Sequence, residues 1–218
     1  MVQHASSIGG VALRATKLNA NGTVKTGSDT SYVQLGDFIS FSFTPTMTTG
    51  DEFEQKGANG QVCTTFKMPD TLQRVEFELA VCKPTPEFEE LIAGGVILST
   101  QGQDAEDLGW AAPEVGKDES VEISIEVWSN AIVDGKKDST YPYYWWVFPY
   151  VSGLVPTGSR VIENGILANT YSGWGVGNLA WDEGPQGDWP FPTATNRPYM
   201  YARTASAPTS AGFEEVTP

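Results

Sequence analysis

Two stretches of strict alternation constrain this chain more than any other feature. In Val75-Glu76-Phe77-Glu78-Leu79-Ala80-Val81-Cys82, residues Val75, Phe77, Leu79 and Val81 fall on one side of an extended backbone, with Glu76 and Glu78 on the other. Val121-Glu122-Ile123-Ser124-Ile125-Glu126-Val127-Trp128 repeats the pattern. A helix would scatter these residues around its axis, so both stretches read as strands with an apolar core face and an acidic outer face. Residues 11–18, 38–45, 52–56, 62–68, 143–148 and 166–171 are further strand candidates, rich in β-branched or aromatic residues. Asn21-Gly22, Asn59-Gly60, Asn164-Gly165 and Asp134-Gly135 mark places where positive φ is cheap, as type I′ hairpins require.

With 23 Gly, 14 Pro and only 18% charged residues, the chain favours short strands and tight turns over long helices. One helix is expected, over residues 86–95. Pro86 suits its first turn, Glu87, Glu89 and Glu90 favour the positive end of its dipole, and Gly94 can end it. Phe88, Leu91 and Ile92 share one side, so the helix should dock across a β-sandwich and cover an open end of the core. The expected fold is all-β with one short helix: two packed antiparallel sheets in a sandwich or barrel-like arrangement. Residues 1–203 read as a single domain and residues 204–218, rich in Ser, Thr, Ala and Pro, as an exposed tail.

The residues offer little chemistry. His4 is the sole histidine and lies near the terminus, which argues against His-based triads, HExxH zinc sites and His general bases. Cys63 and Cys82 lack metal-binding spacing and read as small buried apolar residues, a pairing between them staying open. Gly173-Trp174-Gly175-Val176-Gly177 precedes no helical pattern and reads as a loop rather than a phosphate cradle. The expectation is a protein that is not an enzyme, with no catalytic residues, no cofactor and no metal. A net charge of −14 opposes binding to phosphate backbones and anionic membranes. Residues 1–50 carry a net +1, which leaves −15 for residues 51–218. Residues 1–18 lack the pattern of a secretory leader, which points to synthesis in a cytoplasm.

The most unusual stretch is Tyr141-Pro142-Tyr143-Tyr144-Trp145-Trp146-Val147-Phe148-Pro149-Tyr150. Tyr143, Tyr144, Trp145 and Trp146 are candidates for a subunit interface combined with core, and a sugar-stacking platform is the alternative.

The order of GANGQVCTTFKMPD over residues 57–70, the alternating strand of residues 71–82, Pro86-Glu87-Phe88 with the helix into Gly94-Gly95, VEISIEVWS over residues 121–129, Tyr144-Trp145-Trp146-Val147-Phe148-Pro149, Asn164-Gly165, Ser172-Gly173, Asn178 and Gly184-Pro185-Gln186-Gly187-Asp188-Trp189-Pro190 resembles that of the major tail proteins of siphophages, particularly those infecting actinobacteria. The resemblance covers roughly residues 36–203. It implies two antiparallel sheets with a flanking helix, assembled as hexameric rings that stack into a tube guiding DNA and proteins into the host. The implied partners are the chain itself, the tape measure, tail terminator and distal tail proteins, and double-stranded DNA in transit without sequence-specific binding; no membrane is involved. The implied location is the virion tail, assembled in the host cytoplasm. An immunoglobulin-like C-terminal domain, carried by many such proteins, is expected to be absent.

A channel for DNA should be acidic, because cations along its wall would hold phosphates by counterion release. Glu52, Glu54, Glu76, Glu78, Glu122 and Glu126 are the candidate lumen residues. Thr48, Thr49, Gly50 and Asp51 lie in the candidate ring-stacking loop of residues 46–57, expected to order on assembly, with a longer hairpin as the alternative. A carbohydrate-binding β-sandwich, or another virion protein such as a capsid decoration or tail terminator, is the rival function.

Overall fold

The structure, a computed structural model, describes residues 4–36, 38–100, 106–117, 120–158, 169–191 and 196–217. The Asn164-Gly165 turn and the start of the strand expected over 166–171 lie outside these residues. The elements run β1 (Ser6–Lys17), β2 (Gly27–Leu35), β3 (Phe38–Thr48), β4 (Glu52–Lys56), β5 (Val62–Lys67), β6 (Thr71–Val81), α1 (Pro86–Ala93), β7 (Val96–Ser99), β8 (Asp107–Ala111), β9 (Glu122–Val133), β10 (Lys136–Lys137), β11 (Tyr143–Pro156), β12 (Asn169–Gly175), β13 (Met200–Thr204) and β14 (Gly212–Val216). The fold is all-β with one short helix, and every strand pair is antiparallel.

The two packed layers are halves of one ten-stranded sheet, in the order β14-β2-β1-β9-β11-β12-β6-β3, with β10 added on β9 and β13 on β11. The fourteen-residue β11 makes the layers continuous. One edge of its first half pairs with β13, its second half pairs with β12, and a register shift between Phe148 and Val151 marks where its pairing with β9 becomes irregular. The sheet thereby closes on Leu13, Ile123 and Ile125 from one side and Val75, Phe77 and Leu79 from the other. Val75, Phe77, Leu79 and Val81 are all buried, as the alternation of β6 requires.

Helix α1 seals this core with Phe88, Leu91 and Ile92. Thr85 caps it, its hydroxyl accepting from the Phe88 N–H, Pro86 sits in the first turn, and Gly94 ends it at φ 73°. The Tyr171 hydroxyl donates to Glu89 at 2.5 Å and ties the helix to β12.

A second cluster lies on the opposite face of β1, β9 and β11, where Trp128, Trp145 and Val147 meet Trp181 and Trp189 of the 176–191 segment. Both faces of β9 are therefore covered, and its acidic residues do not face solvent as its alternation suggested. Residues 204–217, the described part of the expected tail, are not an exposed tail either. Residues 205–211 cross this second face, with Ala207 packed on the cluster, and β14 then pairs with the edge of β2 and buries Val216. Part of the expected glycine-rich loop is strand instead: Gly173, Trp174 and Gly175 belong to β12, where a Cβ on Gly175 would lie 2.5 Å from the Tyr150 carbonyl oxygen.

Asp134-Gly135 turns β9 into β10 with φ of 49° and 79°, as a type I′ turn needs. Cys63 is exposed on β5 rather than buried, because the β4–β5 hairpin packs on no core; Cys82 is half-buried, and neither forms a disulfide.

Candidate functional site

The outer face of β3, β6 and β12 carries carboxylates among hydroxyls. Ser42, Glu78 and Ser172 lie side by side in register, as do Thr44, Glu76 and Trp174. Glu76 and Glu78 are exposed, and Arg74 is the one cation in this part of β6, held by its Nη2 at 2.8 Å from Glu76. The result is a polar face of hydroxyls and acidic groups whose one cation, Arg74, is already paired.

The other four lumen candidates part company with these two. Glu52 and Glu54 are exposed, but on the β4–β5 hairpin, which buries no residue; Glu54 pairs with Lys56 at 3.0 Å. Glu122 is partly buried and accepts a 2.8 Å hydrogen bond from the Tyr150 hydroxyl, whose pKa is pushed up to about 12 by burial and by the Glu122 hydrogen bond and charge. Glu126 cannot face a lumen: it is 1% exposed beneath the tryptophans of the second cluster. There it accepts 3.0 Å bonds from Arg14 Nη1 and Trp145 Nε1. Arg14, itself buried on β1, donates its Nε to Glu214 of β14 at 3.0 Å and lies 5.1 Å from the centre of Trp128. Sequence reading missed this cluster, because nothing local links residues 14, 126 and 214.

Burial is the main influence on Glu126 and, with Asp188 nearby, raises its pKa against the opposing pull of Arg14. A carboxyl that holds its proton more tightly when folded contributes stability that is fully present below its unfolded value, near 4.5, and is lost as pH rises through the folded value. The melting temperature of wild type is therefore expected to gain, relative to Glu126→Gln, as pH falls from 7 towards 4.5. Asp138 acts in the opposite sense. Backbone N–H groups of Tyr141 and Thr140, and then Arg203, lower its pKa, so its contribution is present above the unfolded value and lost as pH falls through the folded one. Parallel pH curves for wild type and Glu126→Gln would contradict the assignment to Glu126.

The aromatic run divides by alternation. Trp145 is buried, stacked on Trp128 at 5.6 Å and edge-on to Trp189 at 4.9 Å, so it belongs to core and not to an interface. Tyr143 is partly buried against the same cluster, with Lys137 Nζ 3.8 Å from its ring centre. Tyr144 and Trp146 point to the other side. The Tyr144 hydroxyl donates to the Ala5 carbonyl, and Trp146 stacks 4.6 Å from Tyr201, which is 58% exposed. Both are partly buried, Trp146 against the first core.

Residues 46–57 form the longer hairpin, the alternative to a stacking loop, and are the rising limb of an arm. Thr48 ends β3 opposite Thr71, Thr49 to Asp51 form the bend, and β4 pairs with β5 so that Phe53 faces Phe66. Gly50 is required at the bend, where a Cβ would lie 2.1 Å from the Met68 carbonyl oxygen. All residues of both arm strands are exposed, Phe53 at 54% and Phe66 at 60%. A second exposed hairpin, β7–β8, presents Val96, Leu98 and Leu108. Among the described residues no group of His, Cys, Asp and Glu is placed to hold a metal ion, and no helix is long and apolar enough to cross a membrane. Comparison of the chain with models of known protein families and with curated proteins gave no match.

Proposed function

We propose that the chain is a structural subunit that assembles into hexameric rings, and that the rings stack into the tail tube of a long-tailed bacteriophage. The observation that carries this reading is the β4–β5 arm: a two-stranded hairpin without a buried residue is marginal by itself in water, and this one displays Phe53, Val62 and Phe66. Such an arm is stabilised when a neighbouring copy covers it. Among the described residues the main strand path also ends in β3 and β14, whose outer backbone groups a neighbour can pair. Two different contacts of this kind generate a ring through one and an open-ended stack through the other.

In this reading the Glu76 and Glu78 face of the β3–β6–β12 layer lines the channel, where negative charge and hydroxyls let DNA pass without retention. The tape measure, terminator and distal tail proteins would meet the ends and interior of the tube. Electron microscopy of the concentrated protein in negative stain tests the proposal: hollow tubes of uniform width support it, and particles that stay monomeric at all concentrations overturn it.

The arm gives a sharper variant. Deleting residues 48–55 alone would strand β5 without its partner, so the informative change replaces residues 50–69 with an Asn-Gly turn that joins β3 directly to β6. The expected product melts within a few degrees of wild type but forms no tubes, since the arm contributes no monomer core. Normal tubes from this variant would show that the arm is not an assembly contact.

A further inference from the structure

Two hairpins stand apart from the ten-stranded sheet, and each has an apolar face that nothing in its own chain covers. On the arm, Phe53 lies opposite Phe66, and Met68 follows two residues further along the same side, its N–H donating to the Asp51 carbonyl. These three are 54%, 60% and 44% exposed. The other side carries Glu52, Glu54, Lys56 and Lys67, with Lys56 Nζ 3.0 Å from Glu54. The arm therefore has the two-sided character of a sheet that packs on something, yet both of its faces meet water.

The β7–β8 hairpin divides in the same way. Ile97 and Trp110 are partners and turn inward, where Trp110 Nε1 donates to the Gly94 carbonyl at 2.7 Å and its ring packs on the first core. Val96 and Leu98 alternate to the outer side, 62% and 53% exposed, and Leu108, at the register shift of β8, is 69% exposed. One face anchors this hairpin to the molecule and leaves the other as a platform.

The two apolar faces belong to opposite edges of one layer. Leu72, at the root of the arm, shares a groove with Tyr199 and Tyr201 at β13, whereas Val96 and Ile97 share one with Asp29 and Phe213 at β2 and β14. Strands β11, β9, β1 and β2 stand between β13 and β14. The exposure of both faces shows that the arm does not cover the β7–β8 hairpin of its own chain, so it takes a second copy to bring them together. Their sizes match. At roughly 200 Å² for a whole side chain of this kind, each trio exposes about 300–350 Å². A standard interface takes about 800 Å² from each partner, somewhat over half of it apolar, so the two trios supply most of the apolar part of such a contact.

We infer that the arm of one copy docks on the β7–β8 hairpin of a neighbouring copy, face against face, with Phe53, Phe66 and Met68 packed on Val96, Leu98 and Leu108. The charged side of the arm stays in water. Because the two faces differ and lie at opposite edges, each contact leaves every copy with one unused face, and the association propagates instead of closing in a pair. This rests on the proposed self-assembly, from which the test below separates it.

Thr64 shares the aromatic side of the arm with Phe66, and Gly109 lies opposite Leu98, where a Cβ would meet only the Leu98 side chain, at 3.9 Å. In a Cys63→Ser/Cys82→Ser background, Thr64→Cys and Gly109→Cys are placed on separate chains, which are mixed before assembly and treated with a short bis-maleimide. Tube formation is scored first by negative stain. Docking predicts mixed covalent dimers on a denaturing gel and none when either chain assembles by itself. Tubes without mixed dimers, or dimers from the Thr64→Cys chain by itself, overturn the inference while the tube reading stands. A second measurement uses Leu98→Asp in the otherwise unaltered chain. The side chain is exposed, so the variant is expected to melt with wild type and to form no tubes. Normal tubes from it contradict the docking face. Absence of tubes with wild type as well counts against the assembly itself, and with it against this contact.

Discussion

Arg14→Met is expected to destabilise the folded chain by about 3–5 kcal/mol, measured as the free energy of urea unfolding. Arg14 is 5% exposed and Glu126 1%, so removing the cation leaves a carboxylate without its charge partner in a site that water does not reach. Trp145 Nε1 still donates to Glu126, but one neutral donor does not offset a desolvated charge. Removing both members at once should cost far less. Arg14→Met/Glu126→Leu is expected to recover most of the loss, because apolar residues of similar volume suit a pocket already lined by Trp128, Trp145 and Trp189. Glu214, 27% exposed, can turn to water when its partner goes. A single-variant loss below about 1 kcal/mol, or a double variant no better than the single, would contradict the buried pair as an electrostatic unit.

Trp145→Ala should be comparably severe, at about 3–5 kcal/mol, because it empties the space between Trp128 and Trp189 and takes the indole donor from Glu126. Its neighbour serves as the internal control. Trp146 is only partly buried and packs on Phe43 and Tyr201 at the rim of the first core, so Trp146→Ala should cost less monomer stability. Under the proposed assembly its larger expected effect is on polymer yield, because it supports Tyr201, which is 58% exposed beside it. Thermal melts of both variants beside their tube yields separate the two roles, and equal melting temperatures for Trp145→Ala and wild type would refute the core assignment.

These contrasts also show what the sequence could reveal. β6 was legible because one of its faces meets water: Glu76 and Glu78 are exposed opposite a buried Val75, Phe77 and Leu79, and two-residue alternation reports that division directly. β9 carries the same alternation and misleads, because the acidic side chain at 126 is neutralised by Arg14, 112 residues away. β2 escaped notice for a related reason. Its buried Thr30, Ser31 and Gln34 look like loop residues until hydrogen bonds from Thr30 to the Gly27 carbonyl, between Ser31 and Thr16, and from Gln34 to the Lys83 carbonyl satisfy them. β14 follows a Ser, Ala, Pro and Thr segment of the kind that usually frays, and its anchor lies 200 residues back in the chain. Helix α1 was readable to within two residues because its cap, first-turn Pro and terminal Gly are all local signals.

In the proposed tube, function turns on where the Glu76 and Glu78 face points in the assembled particle. A cryo-electron microscopy reconstruction of the polymer measures this directly. The expected result is a hollow tube of stacked six-membered rings with the β3–β6–β12 layer against the channel and both carboxylates pointing into it. A solid filament, or a tube in which Glu76 and Glu78 lie on the outer surface, would contradict it.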